Sequence, residues 1–399
     1  LPARRHLPVP IPYDALWDSK VRIVLVGTSY PLRGGIAHFT TLLFKKLQER
    51  GHEVQILSFK RLYPKLFFPG KTQKDEGDEL IPVRSTPLLD SINPISWIRA
   101  FFWIRSMRPD FLIFNYWMPF FAPCYATLVF FVANILKIPS LYILHNVIPH
   151  EKRIGDRFLS WLSLRFVNSF IALSQSVFND LFHIRADAKV LQIPHPVYDI
   201  FPQAISMKKA RTILKICEGK VLLYFGYIRA YKGLKFLIQA MSLITKKLKV
   251  RLLICGEFYE GKKEITSLIQ RLELGKSISL IDQFIPNEDV SLYFCAANLV
   301  VLPYVTATQS GIIQIAYNYN KPVVATHVGG LSEVVIPNKT GYLIEPENPK
   351  AIAEAVTDFF LNKNELAFSR YIRKEKLKYS WDYMVDAIEK LSLDPIKLG

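Results

Sequence analysis

From residue 21 onward, short and nearly unbroken apolar runs alternate with longer segments of helical periodicity, and few folds accommodate that pattern. The first half offers strand-length runs at 21–26, 54–59, 111–114, 140–144, 169–173 and 190–193. Between them the apolar spacing predicts helices over 36–50, 94–106, 125–136, 156–166 and 175–182. Strands that are apolar at nearly every position belong to a parallel sheet covered on both faces, since a solvated face would need polar residues at every second place. The segment 193–203, "IPHPVYDIFPQ", breaks the rhythm with three prolines and no periodicity, and reads as a linker between domains. The alternation then restarts, with strands expected at 221–225, 251–255, 277–281, 299–302 and 322–325. Helices are expected over 234–245, 264–274, 289–296, 312–319, 349–361 and 364–378. The expectation is an α/β chain of two doubly wound domains, 21–200 and 201–380, with an extension at 1–20 and a terminal helix within 381–399 that returns to the first domain. A length of 399 residues suits two such cores better than one.

The charge balance is strongly basic, with 51 Lys and Arg against 34 Asp and Glu and a formal net charge of +17. Such a surplus points to an anionic partner (nucleic acid, membrane surface or phosphorylated ligand) or to a merely basic soluble surface. No zinc spacing, helix-turn-helix or stacking-aromatic module accompanies it, so nucleic acid is not an expected partner. Cys124, Cys217, Cys255 and Cys295 are far apart, without a Cys-x-x-Cys or a neighbouring His, which fits reduced thiols in a cytoplasmic protein and no metal site. The uncharged stretch 111–136 is long enough to span a bilayer. Pro119 and Pro123 divide it, however, and Asn115 sits inside, so a buried strand followed by a helix packed on the sheet is the expectation.

In paired domains of this kind, ligands bind beyond the carboxyl ends of the strands, which can face one another across a cleft. After the first strand, "VGTSYPLRGGIAHF" sets Gly34 and Gly35 at a helix start, where backbone can come close to an anion; a plain tight turn would look the same. The spacing is not Gly-x-Gly-x-x-Gly and no acidic residue ends the second strand, which argues against a nicotinamide cofactor. His145 directly follows a buried strand, placed either to meet a ligand hydroxyl or to be satisfied within the fold; His150, Lys152 and Arg153 follow in the same loop. In "FGYIRAYKG", Gly226, Arg229 and Lys232 precede a helix N-terminus. That is the unfavourable end for fixed cations unless a phosphate lies there too. Thr308, Gln309, Ser310 and Gly311 open another helix, with Gln314 one turn in. Hydroxyls and free amides there can hold phosphate or sugar oxygens, or simply cap the helix.

Taken together, "KPVVATHVGGLSEVVIPNKTGYLIEPENPKAIAEAV" (321–356), "FGYIRAYKG" and the Gly-Gly loop resemble the retaining glycosyltransferases of family 4, the glycosyl transferases of group 1, over 21–380. The resemblance implies the GT-B fold of two facing Rossmann-like domains. It also implies a nucleoside-diphosphate sugar as co-substrate, with no other cofactor, and a glycan or lipid-linked acceptor held mainly by the first domain. By the same resemblance Gly34 and Gly35 lie near donor phosphates and acceptor, His145 lies near the donor sugar, and Lys232 neutralises the leaving diphosphate. The loop at Phe284 and Ile285 meets the nucleotide base. Two places depart from the family pattern. Tyr227 stands where an arginine is usual, with Arg229 as its substitute, and the usual Glu-x7-Glu pair falls on Ala307 and Ile315, leaving Gln309 and Gln314 to meet hydroxyls. His145, Arg229 and Lys232 are then the catalytic residues of an active transferase, whereas the missing carboxylates leave a catalytically silent nucleotide-sugar binder as the alternative. No acidic Asp-x-Asp motif lies in a suitable loop, so the expectation is a leaving group neutralised by protein groups, with no metal ion. The basic surplus and "WIRAFFWIRSMRPDF" (97–111) read as attachment to the inner face of an anionic membrane, or as an ordinary amphipathic helix on the sheet.

Overall fold

A computed structural model of the chain describes residues 20–64, 68, 72–75, 81–149, 154–216 and 219–393. The extension at 1–19, the tail at 394–399, and His150, Lys152, Arg153 and Cys217 lie outside the described residues. The first domain holds β1 (Arg22–Val26), β2 (Glu53–Arg61), β3 (Ser85–Asp90), β4 (Phe111–Tyr116), β5 (Ser140–Leu144), β6 (Ser169–Ala172) and β7 (Val190–Gln192). They pair in parallel in the order β3-β2-β1-β4-β5-β6-β7. The second holds β8 (Lys220–Phe225), β9 (Val250–Cys255), β10 (Ile278–Ile281), β11 (Leu299–Leu302), β12 (Val323–Thr326) and β13 (Gly341–Ile344), ordered β10-β9-β8-β11-β12-β13. The strand order reverses between β1 and β4 and again between β8 and β11, which opens a crevice at the carboxyl edge of each sheet.

The helices are α1 (Gly35–Glu49), α2 (Pro94–Met107), α3 (Ala122–Phe131), α4 (Asp156–Leu164) and α5 (Gln175–Ile184) in the first domain. The second adds α6 (Met207–Ile213), α7 (Leu234–Ile244), α8 (Lys262–Arg271), α9 (Val290–Ala296), α10 (Gly311–Asn318), α11 (Leu331–Val334), α12 (Pro349–Leu361) and α13 (Glu365–Glu375), and α14 (Trp381–Leu393) follows. Alternation along the strands decides which helices cover which face. Leu25, Ile113 and Ile143 pack with Phe39, Leu43 and Leu47 of α1, while Val24, Leu112 and Tyr142 pack with Ile104, Leu128 and Leu164 of α2 to α4. Helix α14 joins α1: Arg50 reaches Asp386 at 2.7 Å and Glu389 at 3.2 Å, and the Trp381 ring lies 5.1 Å from that of Phe39.

Two parts of the sequence reading gain detail from the fold. The prolines at 119 and 123 divide the stretch 111–136 into strand β4 and a helix as expected, but the helix starts earlier than 125: Pro119–Phe121 is a 3-10 turn, α3 follows with Pro123 in its first turn, and a π-helical turn Val132–Leu136 ends it. Among the described residues Pro119–Leu136 is the one span long and apolar enough to cross a membrane; half of it is buried in the domain. The link at 193–203 is packed: His195, Tyr198 and Phe201 are buried, and Tyr198 and Phe201 belong to the same apolar cluster as α1 and β8.

Candidate active site

At the carboxyl end of β8 the chain turns through Gly226 with φ +101°, and a Cβ there would lie 3.2 Å from Lys232 Nζ and 3.4 Å from Ile312 Cδ1. The Lys232 ammonium therefore sits over the Gly226 backbone, beside the first turn of α10. Arg229 precedes the 3-10 turn Ala230–Lys232 and Lys232 ends it, and Gly233, with φ +67°, then starts α7 so close to Pro303 that a side chain would strike its carbonyl. Burial and the neighbouring Arg229 charge lower the Lys232 pKa to about 8. The Arg229 guanidinium lies 5.1 Å from the Tyr259 ring. Two cations held together at a strand end, one of them desolvated, form a place that an anion would relieve.

Helix α10 begins beside them. Ser310 occupies its N-cap position, yet the Ser310 side chain makes no capping bond. The Oε1 atoms of Gln309 and Gln314 are buried without hydrogen-bond partners. Each such orphan costs on the order of 1–3 kcal/mol, so acceptors left unpaired at one helix start mark where ligand hydroxyls can bind. A Cβ on Gly311 would come within 2.9 Å of Tyr198 Cε2. The Tyr198 hydroxyl lies 3.0 Å from the Gly35 carbonyl and 3.2 Å from His195 Nε2, so the interdomain link ties the Gly34–Gly35 loop to the start of α10.

Facing this site from the first domain, His145 follows β5 and is buried, its ring 4.6 Å from that of Phe39. Asn115 Nδ2 donates to Thr40 Oγ1 at 2.9 Å, which leaves Asn115 Oδ1 to accept from His145 Nε2 at 3.4 Å. The other ring nitrogen, Nδ1, then accepts from Gln309 Nε2 at 3.4 Å, and the same amide donates to the His145 carbonyl at 3.3 Å. Burial, with His195 nearby, holds the His145 pKa well below the usual imidazole range, so the ring is neutral and keeps this tautomer. Thr308 adds a short hydrogen bond to Asn146 across the same gap.

A second contact across the cleft comes from residues that the sequence reading passed over. Arg33, immediately before the two glycines, reaches Glu257 at the end of β9 at 2.6 Å, and both side chains are at most 4% exposed. Its guanidinium lies 5.0 Å from the Phe284 ring and 5.6 Å from that of Tyr227, while Tyr227 and Phe284 stack at 6.3 Å. Tyr227 thus gives a face to an arginine from the opposite lobe where the family pattern has an arginine of its own. Nearby, Asn287 Nδ2 donates to Asp75 at 2.7 Å. These contacts close the lobes on one another, and the cavity lined there by His38, Thr41, Asp75 and Asn287 measures only about 20 Å³.

Of the residues singled out in the sequence, Gly226, Arg229, Lys232, Gly311 and Gln314 gather on the second domain, and Thr308, Gln309 and Ser310 lead from them to His145. Gly35 meets Gly311 through Tyr198, with Gly34 just before it at the start of α1. Phe284 lies on the same rim, whereas Ile285 turns its side chain into the core. Arg33, Glu257, Asn115 and Tyr198 were missed; the one local signal was a cation placed directly against the Gly-Gly pair.

Two facing doubly wound domains with a site between them define the GT-B architecture. The chain is similar to the solved structure of sucrose-phosphate synthase from Thermosynechococcus elongatus, with TM-score 0.73 and 18% identity, over 95% of this chain and 100% of that one. Anabaena HepE, solved in complex with UDP, gives 0.68 at 18% identity, again over 95% and 100%. The model described as Glycosyltransferase Family 4 matches residues 33–199, and that described as Glycosyl transferases group 1 matches 219–362. Among curated relatives, the D-inositol 3-phosphate glycosyltransferase of Corynebacterium urealyticum is 28% identical over 184 residues, 44% of this chain and 43% of that protein. The N-acetyl-alpha-D-glucosaminyl L-malate synthase of Bacillus anthracis is 22% identical over 339 residues, 82% of this chain and 84% of that one. The match spans less than half the length of the first of these relatives, but the two family models cover both domains. The chain belongs to the family-4, group 1 glycosyltransferases.

Proposed function

We propose that the enzyme moves a sugar from a nucleoside-diphosphate sugar to a glycan or lipid-linked acceptor, with retention of anomeric configuration and without a divalent metal. The observation that carries this reading is the Lys232 ammonium over Gly226, beside Arg229 and the open start of α10. Breaking the anomeric C–O bond sends its electron pair to the departing diphosphate and leaves an oxocarbenium-like carbon. Lys232, Arg229 and the amides of Gly311 and Ile312 stabilise the charge that the diphosphate gains, and cations preorganised for that purpose lower the barrier. The acceptor hydroxyl attacks from the face that the diphosphate leaves, and its proton passes to a diphosphate oxygen. His145, neutral and held by Asn115, offers a ring nitrogen to a sugar hydroxyl once Gln309 swings away; Gln309 and Gln314 take hydroxyls that carboxylates take in relatives with the Glu-x7-Glu pair.

The test is a thermal-shift panel of UDP-, GDP-, ADP- and TDP-sugars. A ligand present at a hundred times its Kd stabilises the native state by about 2.7 kcal/mol, so one nucleotide class should raise the melting temperature clearly above the others. A flat response to all of them, at concentrations into the millimolar range, contradicts the donor assignment.

A further inference from the structure

Large exposed apolar side chains gather on one side of the first domain. Helices α2, α3 and α4 cover one face of its sheet and are joined by ring contacts, Phe101 to Phe131 at 5.6 Å and Phe130 to Phe166 at 5.0 Å. Their outer sides present Ile95 and Phe102 at 61% and 57% exposure, Ile135 at 58%, and Phe158 and Trp161 at 61% and 40%. Water-facing helix surfaces are ordinarily polar. Here cations are interleaved with the apolar residues: Arg99, Arg105, Arg108, Lys137, Arg157 and Arg165 are all exposed. The Arg165 guanidinium lies 5.1 Å from the Trp161 ring.

At the edge of this layer away from the cleft, where β1, β4 and β5 begin, an open cavity of about 800 Å³ lies beside the end of α2. Arg22, Arg105 and Arg108 line it together with Phe102, Leu136 and Ile138. Asp110 is bonded to Arg22 at 3.3 Å, and among the described residues no acid pairs with Arg105 or Arg108. A cavity lined by the guanidinium groups of Arg105 and Arg108, which have no acid partner among the described residues, and by apolar carbon has the chemistry of a phospholipid headgroup site.

We propose that this face docks on a bilayer containing anionic phospholipid, with a headgroup phosphate between Arg105 and Arg108 and acyl carbon against Phe102, Leu136 and Ile138. Charge complementarity selects this occupant. Each Lys or Arg at an anionic surface adds about 1 kcal/mol, whereas a second copy of a chain carrying net charge +17 would be repelled. The cavity lies at the amino ends of the strands, opposite the donor cleft, so occupancy does not compete with donor, and the proposal stands whatever the donor is.

The test is co-sedimentation of the whole protein with phosphatidylcholine vesicles, with and without phosphatidylglycerol. Wild type should pellet with the anionic vesicles and stay in solution with the neutral ones. Arg105→Ala with Arg108→Asn, the asparagine chosen because Arg108 has φ +46°, should weaken partitioning about twenty-five-fold, at about fivefold per cation. Phe102→Ser with Trp161→Ser should weaken it comparably. Unchanged thermal unfolding of both pairs verifies the fold, independently of any donor. Equal partition to both vesicle types, or partition indifferent to both pairs of substitutions, overturns the proposal. So does lipid-free self-association of wild type that Phe102→Ser with Trp161→Ser abolishes.

Discussion

Arg33 and Glu257, 224 residues apart in sequence and on opposite lobes, meet at 2.6 Å in a place where neither is solvated. Breaking a buried pair by removing one partner costs about 3–5 kcal/mol, because the other charge is left without compensation. Here the molecule has an escape that a single core lacks: the lobes can part and hydrate the orphan. Glu257→Gln should therefore enlarge the radius of gyration in small-angle scattering, and Arg33→Met combined with Glu257→Met should restore the closed dimensions. Identical scattering from wild type and Glu257→Gln would show that other contacts hold the lobes.

The lysine at the donor site is a built-in cost to the free protein. Its pKa falls from 10.5 in an unfolded chain to about 8 in the fold. Between those values the unfolded state binds more protons, so stability rises as pH climbs through that window and the penalty is fully present below about 8. Lys232→Met should raise the unfolding free energy at pH 7 by on the order of 1–3 kcal/mol while abolishing most activity. Urea denaturation of both proteins checks the first half; a less stable Lys232→Met would mean that the ammonium is already well compensated.

Buried histidines set the acid limit. His195 is lowered from 6.5 to about 4 by burial, against its bond to the Pro196 carbonyl, and His145 is shifted the same way. The unfolded chain takes up these protons first, so stability is full above about 6.5 and is lost as pH falls toward 4. At pH 4.5 His195 alone should remove about 2–3 kcal/mol, and His195→Gln should flatten that part of the curve. An identical acid dependence in the variant would remove His195 from the account.

Gly226 needs both its backbone freedom and its missing side chain. With φ +101° an alanine is strained, and its Cβ would press on Lys232 Nζ. Gly226→Ala should fold at a cost of about 1–2 kcal/mol and bind nucleoside diphosphate at least several-fold more weakly, as read by calorimetry. Unaltered affinity would place the diphosphate elsewhere.

Sequence legibility followed burial. Strands β5 and β11 and helix α12 are recoverable to the residue from continuous apolar runs and, for α12, from Asn348 capping ahead of Pro349. The edge strand β3, "STPLLD", was missed because it is mostly half exposed and contains a proline, and the edge strand β13, "GYLI", because only four residues carry it. Short helices α6 and α11 lack the length for periodicity to show. The cations Arg229 and Lys232 were legible because a strand–Gly–loop–Gly–helix turn is a local pattern. Arg33 with Glu257, and His145 with Gln309, were not, since each contact depends on how one lobe meets the other.

The central claim is that a diphosphate lodges between the lobes against Lys232. Titration calorimetry with UDP, GDP, ADP and TDP against wild type and Lys232→Ala tests it without knowledge of the acceptor. The account predicts one-to-one binding of at least one nucleotide to wild type, weakened on the order of tenfold to a hundredfold in the variant, since a charge-assisted bond of about 1.5–3 kcal/mol is lost. Equal affinity of wild type and a correctly folded Lys232→Ala for that nucleotide would contradict it.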